Sequence, residues 1–448
     1  MRVFMLGWEF PPFISGGLGT ACYGLTKAMS SIGTDVMFVL PRPVSTPFST
    51  HVRLVSPRPG SALASPTTEF RLDEFEHVTF RTVNAQLSPY SNPGDYEREF
   101  EERTRAAAAQ AAAASPAVST GAATASAAPA AVGANYAGDM LAETQRYAML
   151  ASEIARQESF DVVHAHDWMT FPAGLAVAGL KGVPLVIHVH STEFDRSGLH
   201  IDQRIYDIER RGMHGAMRII AVSTLTKNLI VHHYGIDPNK VEVVYNAIET
   251  NGNGMFDEEK YKIHKDEKIV LFLGRITMQK GPEYFLAAAK KVLEVMDNVK
   301  FVMAGSGDMI RRTIEMAASM GIGHKVLFTG FLRGGDVDKV FKMADLYVMP
   351  SVSEPFGIAP LEAMSHDVPV IISKQSGVSE VVQHALKVDF WDINEMANKI
   401  IAVLKHPPLA STLRQHGSFE IRRMSWVDAA RACVGVYEQA VSGMNGRR

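Results

Sequence analysis

Short apolar runs alternate with amphipathic stretches along nearly the whole chain. The runs are as short as buried strands, and the stretches between them have the period of a helix. Predicted strands lie at 3–6, 36–40, 162–165, 185–189, 219–222, 241–245, 269–273, 300–304, 326–328, 346–349 and 369–372. Predicted helices lie at 21–29, 139–156, 203–216, 224–233, 283–295 and 426–441. Strands that alternate with helices form βαβ units, so the pattern predicts an α/β protein with parallel sheets.

The chain is long enough for two doubly wound domains of ordinary size, since its 448 residues exceed what one hydrophobic core usually holds. The polar stretch 246–265 carries two glycines and separates the two series of strands. We therefore expect an N-terminal domain at 1–247, a C-terminal domain at 248–425, and a last helix within 426–448. A segment at about 105–135 fits neither domain: 17 of its 29 residues from 106 to 134 are alanine, which favours a disordered surface insertion.

The overall charge and the cysteine content restrict the environment and the partners. A formal net charge of −3 gives no field that would attract nucleic acid or an anionic membrane. With only two cysteines, Cys22 and Cys433, no disulfide framework is required. The first apolar run ends at Trp8 and Glu9, far short of a signal peptide or a membrane span. We expect a cytoplasmic protein without an integral membrane segment.

A glycine-rich turn follows the first predicted strand. Gly16 and Gly17 precede Leu18 and Gly19, and an apolar-patterned helix comes next. Glycines at a strand-to-helix turn let backbone N–H groups approach a phosphate, and the helix N-terminus favours its charge. A tight turn without a ligand is the simpler alternative. A dinucleotide-binding fingerprint is not supported, because the third glycine of that motif is absent.

A basic turn follows the predicted strand at 269–273. Arg275 and Lys280 are separated by a short loop and flanked by Gly274 and Gly281. An arginine fork and a lysine point charge at the carboxyl end of a strand can bind two oxygens of a diphosphate. The alternative is a pair of solvated surface charges.

Two glutamates eight residues apart follow the predicted strand at 346–349. Glu354 lies in the loop and Glu362 about one turn into the next predicted helix, with Gly357 and Ile358 between them. This spacing can bring one carboxylate to the hydroxyls of a sugar and the other to a ribose, while the backbone N–H groups of Gly357 and Ile358 face phosphates. An exposed helix residue and a helix cap are the alternatives.

Two His-x-His pairs end neighbouring predicted strands of the first domain, at His164 and His166 and at His188 and His190. Alternate residues of a strand share one face, so each pair could bind zinc. No cysteine accompanies them, and a polar sugar-binding rim explains the adjacent polar residues equally well. We therefore expect no metal.

Together these clusters resemble the retaining glycosyltransferases of the GT-B fold, particularly the glycogen and starch synthases and their relatives in families 4 and 5. The resemblance runs from Gly16 through the Glu354 motif to the segment 426–437 and leaves out the alanine-rich segment. It implies two Rossmann-like domains that face a central cleft, with a C-terminal helix that crosses back to the first domain.

The resemblance also implies a role for each residue that matches the family's motifs. Gly16 and Gly17 would contact the donor phosphate, and Arg275 and Lys280 would stabilise the departing nucleoside diphosphate. His166 would lie close to the reacting sugar. Glu354 would bind the sugar's hydroxyls, and Glu362 would bind the ribose. No organic cofactor is implied, because the nucleotide sugar is a substrate. Protein cations, rather than a metal, would neutralise the leaving group.

The implied reaction is retaining transfer of a hexosyl group, glucose above all, from UDP- or ADP-glucose to an α-glucan or glycoside. One departure concerns the donor: Ile14 stands where relatives that use ADP-glucose carry lysine, which favours UDP-glucose. The alternatives are another family 4 hexosyl- or mannosyltransferase, a sugar-nucleotide epimerase on the same fold, and a non-catalytic nucleotide-sugar sensor.

Overall fold

The computed structural model describes residues 1–10, 17–41, 68–70, 76–83, 85, 140–249 and 267–446. Gly16, Ile14 and the alanine-rich segment at 105–135 lie outside the described residues. So does most of the predicted domain boundary, so that boundary stays a prediction.

The first sheet has eight strands in the order β3-β4-β2-β1-β5-β6-β7-β8. The strands are β1 (Arg2–Leu6), β2 (Asp35–Leu40), β3 (Thr68–Phe70), β4 (Val78–Thr82), β5 (Val162–His166), β6 (Leu185–Val189), β7 (Arg218–Ala221) and β8 (Val241–Val243). All neighbours pair in parallel except β3, which runs antiparallel to β4 at the edge. Strand order reverses direction at β1, so the carboxyl ends of β1 and β5 form the switch point where ligands bind in open α/β sheets.

The second sheet has six parallel strands in the order β11-β10-β9-β12-β13-β14. They are β9 (Lys268–Leu273), β10 (Val299–Ala304), β11 (Val326–Gly330), β12 (Leu346–Met349), β13 (Val370–Ser373) and β14 (Leu386–Val388). Here the order reverses at β9, beside β12, so the second switch point lies where the basic turn and the Glu354 loop begin.

Helices connect the strands of both sheets. Those of the first half are α1 (Gly17–Ser31), α2 (Met140–Gln157), α3 (Phe171–Lys181), α4 (Glu193–Ser197), α5 (Gln203–Gly215) and α6 (Thr224–Tyr234). Those of the second half are α7 (Pro282–Leu293), α8 (Ile310–Ser319), α9 (Gly335–Met343), α10 (Ala359–Ser365), α11 (Val378–Val381), α12 (Ile393–Lys405), α13 (Pro407–Ile421) and α14 (Trp426–Asn445). Local signals set several ends: the Ser223 hydroxyl accepts the Thr226 N–H at the start of α6, and Gly235 ends it in the left-handed conformation.

The predicted strands are all present, with ends shifted by at most two residues, because continuous apolar runs are buried on both faces of a parallel sheet. Three strands were not predicted: β3, β4 and β14. Two of them have only three residues, and β4 alternates polar and apolar residues without a flanking turn signal. None of the helices in the described residues is long and apolar enough to span a bilayer.

The last helix packs on the first domain. Trp426 lies over Gly24 of α1, where an added Cβ would come within 2.3 Å of the indole. Cys433 and Tyr437 of the same helix are fully buried in the core of the first sheet. The chain therefore returns from the second sheet to the first, as expected for the GT-B architecture.

Candidate active site

The carboxyl ends of the two sheets meet through polar contacts between loops. The Ser353 hydroxyl donates to Asp195 Oδ1 at 2.5 Å, and the Ser223 hydroxyl donates to the carbonyl oxygen of Pro355 at 2.5 Å. These contacts join the loop after β12 to α4, which follows β6, and to Ser223, which follows β7. The predicted site residues of the second sheet therefore lie beside the first sheet.

Lys280 and Glu354 form an ion pair, although 74 residues separate them in sequence. The pair is largely withdrawn from solvent, with 20% of the lysine and 9% of the glutamate side chain exposed. Ser351 donates a hydrogen bond of 3.2 Å to the same carboxylate oxygen. The basic turn after β9 and the loop after β12 thus build one charged cluster.

Gly281 allows these two loops to approach each other. Its φ of 66° lies in the left-handed region, and an added Cβ would lie 2.1 Å from the carbonyl oxygen of Pro350. Any other residue would push the two backbones apart. Gly281 therefore allows the two loops to come close enough for Lys280 and Glu354 to form their ion pair.

Arg275 lies at the carboxyl end of β9, close to Gln279. Its guanidinium donates to Gln279 Oε1 at 3.4 Å, and the backbone carbonyl of that buried glutamine accepts the N–H of Val352 at 2.9 Å. Arg275 also approaches Glu9 of the first domain closely enough to favour the ionised form of that carboxyl. Both predicted cations therefore lie at the cleft.

Glu9 lies beside Arg275, although its sequence context does not single it out as a candidate. It follows β1, is 2% exposed, and accepts the backbone N–H of Gly19 in the first turn of α1 at 2.9 Å. Burial raises its pKa from 4.5 to about 7, while the bond from Gly19 and the charge of Arg275 oppose the rise. A carboxyl directly after the first strand, before the glycine-rich turn, was the available signal.

We expect the Glu9→Gln substitution to change how stability depends on pH. Below pH 4.5 Glu9 is protonated in both folded and unfolded chains, so it has no effect on the pH dependence of stability there. Above its folded pKa of about 7 it is ionised in both, and burial of its charge then destabilises the folded state. The full shift corresponds to about 3 kcal/mol. Relative to the parent, the glutamine variant should gain stability as the pH rises from about 4.5 to about 7 and then level off.

Urea unfolding of both chains across this pH range measures the difference. The Glu395→Gln variant is the control, because Glu395 forms a partly exposed ion pair with Lys399. A stability difference between the Glu9 variant and the parent that stays flat with pH would show that Glu9 titrates normally.

Gly17 is the first residue of α1 and is exposed. Among the described residues, no atom lies within 4 Å of the position where its Cβ would be. Its role, like that of Gly16, stays a prediction.

Gly357, Ile358 and Glu362 follow Glu354 along the chain. Gly357 has φ 103°, and an added Cβ would lie 3.1 Å from Glu354 Cγ, so this position favours glycine. Ile358 precedes α10, and Glu362 lies in its first turn. Burial, with a smaller contribution from Asp338, raises the pKa of Glu362 to about 7.

The two His-x-His pairs lie side by side, because β5 and β6 pair in register with His166 opposite His188. His164, His166 and His188 are at most 2% exposed, and only His190 is partly exposed. A polar rim therefore does not describe the first three rings. His166 Nδ1 lies 2.9 Å from His190 Nε2, so the buried His166 contacts the partly exposed His190. The role of His166 beside the reacting sugar stays a prediction.

Burial lowers the pKa of His164 and His190 to about 3 and that of His166 and His188 well below the usual value. The four rings are therefore neutral at pH 7. Asp167 holds the loop after β5, because its Oδ1 accepts the His190 N–H at 2.7 Å. Burial raises the pKa of Asp167 to about 7.

Glu380 of α11 also joins the two halves of the chain. Its carboxylate accepts the N–H groups of Thr224 and Leu225, both at 2.8 Å, at the start of α6. Tyr245 donates to the same carboxylate at 2.9 Å. A carboxylate is favourable at a helix N-terminus, so this contact stabilises the interface between the two halves of the chain.

Three family models match successive parts of the chain. The starch synthase catalytic domain matches residues 2–125, Glycosyltransferase Family 4 matches 133–251, and Glycosyl transferases group 1 matches 255–418. Together these matches extend across both sheets.

Individual relatives align with almost the full chain. An uncharacterized glycosyltransferase of Methanocaldococcus jannaschii is 28% identical, with 99% of this chain and 100% of the relative covered. A glycogen synthase of Mycobacterium tuberculosis is 25% identical, with 99% and 96% covered. The structure of the catalytic domain of starch synthase IV from Arabidopsis thaliana, bound to ADP and acarbose, matches with a TM-score of 0.69 at 14% identity, covering 98% of this chain and 99% of that one. This structural likeness shows the fold.

Proposed function

We propose that this chain, a GT-B glycosyltransferase similar to glycogen and starch synthases, transfers glucose from a nucleoside-diphosphate glucose. The acceptor would be an α-glucan or a short glucoside, and the transfer would retain the anomeric configuration. The donor would bind between the basic turn after β9 and the start of α1.

The observation that carries this proposal is the cluster of Arg275, Lys280 and Glu354. Two cations from one turn and a carboxylate from the neighbouring strand's loop lie at the switch point of the second sheet. The cations complement a diphosphate, and the carboxylate complements the hydroxyls of a sugar attached to it. Because the loop carrying Glu354 contacts the first domain through Ser353 and Pro355, closure of the domains would bring the acceptor to the donor.

In the proposed reaction the bond between the sugar's C1 and the β-phosphate oxygen breaks, and a bond forms on the same face between C1 and an acceptor hydroxyl oxygen. The acceptor proton passes to the departing phosphate oxygen. Arg275 and Lys280 stabilise the negative charge that develops on the diphosphate, which is electrostatic preorganisation. Glu354 holds the sugar's hydroxyls while C1 becomes oxocarbenium-like.

For the donor we propose UDP-glucose. Ile14 cannot make the phosphate contact that lysine makes at this position in the ADP-glucose-dependent relatives which this chain resembles. Among the relatives, the glycogen synthase supports a glucan acceptor, and the acarbose in the starch synthase structure supports an α-linked glucose oligomer.

The proposed function is tested with UDP-glucose, ADP-glucose, UDP-galactose and GDP-mannose, each with and without a maltooligosaccharide. The products are analysed by mass spectrometry, and the anomeric proton of the new linkage by NMR. We expect an α-linked glucose product from UDP-glucose. A β-linked product would contradict retention of configuration, and transfer only from GDP-mannose would show that the donor sugar is not glucose. A new sugar nucleotide formed without acceptor would indicate an epimerase. Donor binding without turnover would indicate a sensor.

We expect turnover to be independent of added divalent cations, because Arg275 and Lys280 supply the charge that binds the diphosphate. Enzyme treated with a chelator is assayed with and without Mg²⁺ or Mn²⁺, and the two rates should agree within about twofold. Activity that requires Mg²⁺ or Mn²⁺ for its recovery would instead indicate a metal–diphosphate complex.

A further inference from the structure

We propose that Asp195 of the first domain is a positioning residue for Glu354 of the second. This role rests on the proposed function, in which Glu354 binds the donor sugar. Asp195 Oδ1 accepts the hydroxyl of Ser353, the residue directly before Glu354, at 2.5 Å. Asp195 is 1% exposed, so its carboxylate meets Ser353 away from solvent, and a charged acceptor makes the hydrogen bond stronger than one between neutral groups.

The two oxygens of the Asp195 carboxylate have different partners. Oδ2 accepts the backbone N–H of Thr192 at 2.7 Å and the Thr192 hydroxyl at 2.8 Å, which forms the capping box at the start of α4. Oδ1 is the oxygen that accepts the Ser353 hydroxyl. The helix cap therefore fixes the direction in which Oδ1 faces the second domain.

A buried charge cluster holds α4 in place. Arg196 donates to Glu193 Oε2 at 3.2 Å and to Glu209 Oε1 at 2.5 Å, and Glu209 also accepts the Tyr234 hydroxyl. Both glutamates are at most 3% exposed. A helix of five residues is not stable alone, but Glu209 lies on α5 and Tyr234 on α6, so the cluster ties α4 to two longer helices.

The first domain also holds the residue after Glu354. The carbonyl oxygen of Pro355 accepts the hydroxyls of Ser223 at 2.5 Å and Thr226 at 3.4 Å. Both neighbours of Glu354 are thus bonded to the first domain, whereas Glu354 itself pairs with Lys280 of the second. The orientation of Glu354 towards a donor sugar therefore depends on the contact between the domains.

The α4 segment contacts the basic turn as well. It packs against the turn Met278–Lys280, and an added Cβ at Gly198, directly after α4, would lie 3.8 Å from Met278 Cε. The same element of the first domain thus touches the two segments that carry Lys280 and Glu354. This placement suits a residue that aligns the ion pair from outside its own domain.

The first test removes the Ser353 hydroxyl and leaves the cap of α4 intact. Hydrogen–deuterium exchange is compared between the donor-free parent and Ser353→Ala. The amides of Val352 and Glu354, which donate to the carbonyl oxygens of Gln279 and Gln375, should exchange about tenfold faster in the variant, because one charge-assisted hydrogen bond no longer opposes opening of the loop.

The peptide that contains α4 should exchange as in the parent, since the capping box remains. The control is Ser319→Ala, which removes an exposed serine hydroxyl of the same domain and should leave exchange of the loop unchanged. Loop exchange in Ser353→Ala equal to that of the parent would overturn the proposal.

The second test is kinetic. Ser353→Ala should lower kcat with UDP-glucose by about tenfold, because Glu354 is no longer aligned with the sugar. Affinity for UDP, measured by calorimetry, should change by less than about twofold, because Arg275 and Lys280 remain. Ser353→Thr keeps a hydroxyl and should recover most of the kcat. Unchanged kcat in folded Ser353→Ala would contradict the role.

A double-mutant cycle assigns the effect to Asp195. Because Asp195 and Ser353 share one hydrogen bond, the Asp195→Ala, Ser353→Ala double variant should be little slower than Asp195→Ala alone, and effects that multiply would overturn the proposal. A parent chain that transfers no glucose from UDP-glucose would contradict the proposed function instead. The exchange measurement needs no donor and still decides whether the contact with Asp195 holds the loop.

Discussion

Replacing Lys280 by alanine should lower kcat by about 10²–10³-fold, the loss seen when one preorganised charge-stabilising group is removed. The ammonium of Lys280 is held by Glu354 and by the short turn that Gly281 allows, so it needs no reorganisation when charge develops on the leaving diphosphate. Water that enters the space left by the side chain would stabilise this charge less well. Steady-state kinetics with the proposed donor, UDP-glucose, measure the effect.

The control for this substitution is Lys291→Ala, since Lys291 is an exposed residue of the helix that follows. The control should retain normal kcat. Arg275→Lys should also reduce turnover, because a single ammonium cannot reproduce the fork of the guanidinium. Near-normal turnover in a folded Lys280→Ala chain would remove Lys280 from the mechanism and with it the proposed diphosphate site.

The Glu354→Gln substitution should also reduce kcat by about 10²-fold or more. Glutamine keeps the shape of the side chain and an oxygen that can accept the hydrogen bond from Ser351, but it removes the charge that orients Lys280. Because the substitution leaves packing nearly unchanged, the loss of kcat reports the charge of Glu354 and the orientation of Lys280.

A double-mutant cycle separates a shared role from two independent ones. Because Lys280 and Glu354 are in contact, we expect the double variant to be little slower than the slower single variant. Effects that multiply would show that the two residues act separately. The Glu395→Gln variant serves as the control, since it breaks a partly exposed ion pair of the same domain and should leave kcat unchanged.

The fold could be predicted from the sequence because local patterns encode it. Apolar runs gave the strand positions, helical periodicity gave the helices between them, and the motifs at the ends of β9 and β12 indicated the GT-B architecture. Arg275 and Lys280 needed only their position after a strand to be identified as candidates. These features depend on residues that are neighbours in sequence.

The contacts between distant residues required the tertiary structure. The ion pair between Lys280 and Glu354 and the approach of Arg275 to Glu9 depend on strand order and on how the domains meet. Glu9 is a single carboxyl in sequence, and only its burial beside Gly19 shifts its pKa.

The histidines illustrate the same division most clearly. Their spacing within each strand predicted that His164 and His166 share a face, as do His188 and His190. From the sequence we expected no metal and favoured a polar sugar-binding rim at these residues. The register of β5 against β6 and the cover by Tyr437 decided that three of the rings are buried together. Side-chain periodicity is a local property of the backbone, whereas register and burial follow from the packing of the whole domain.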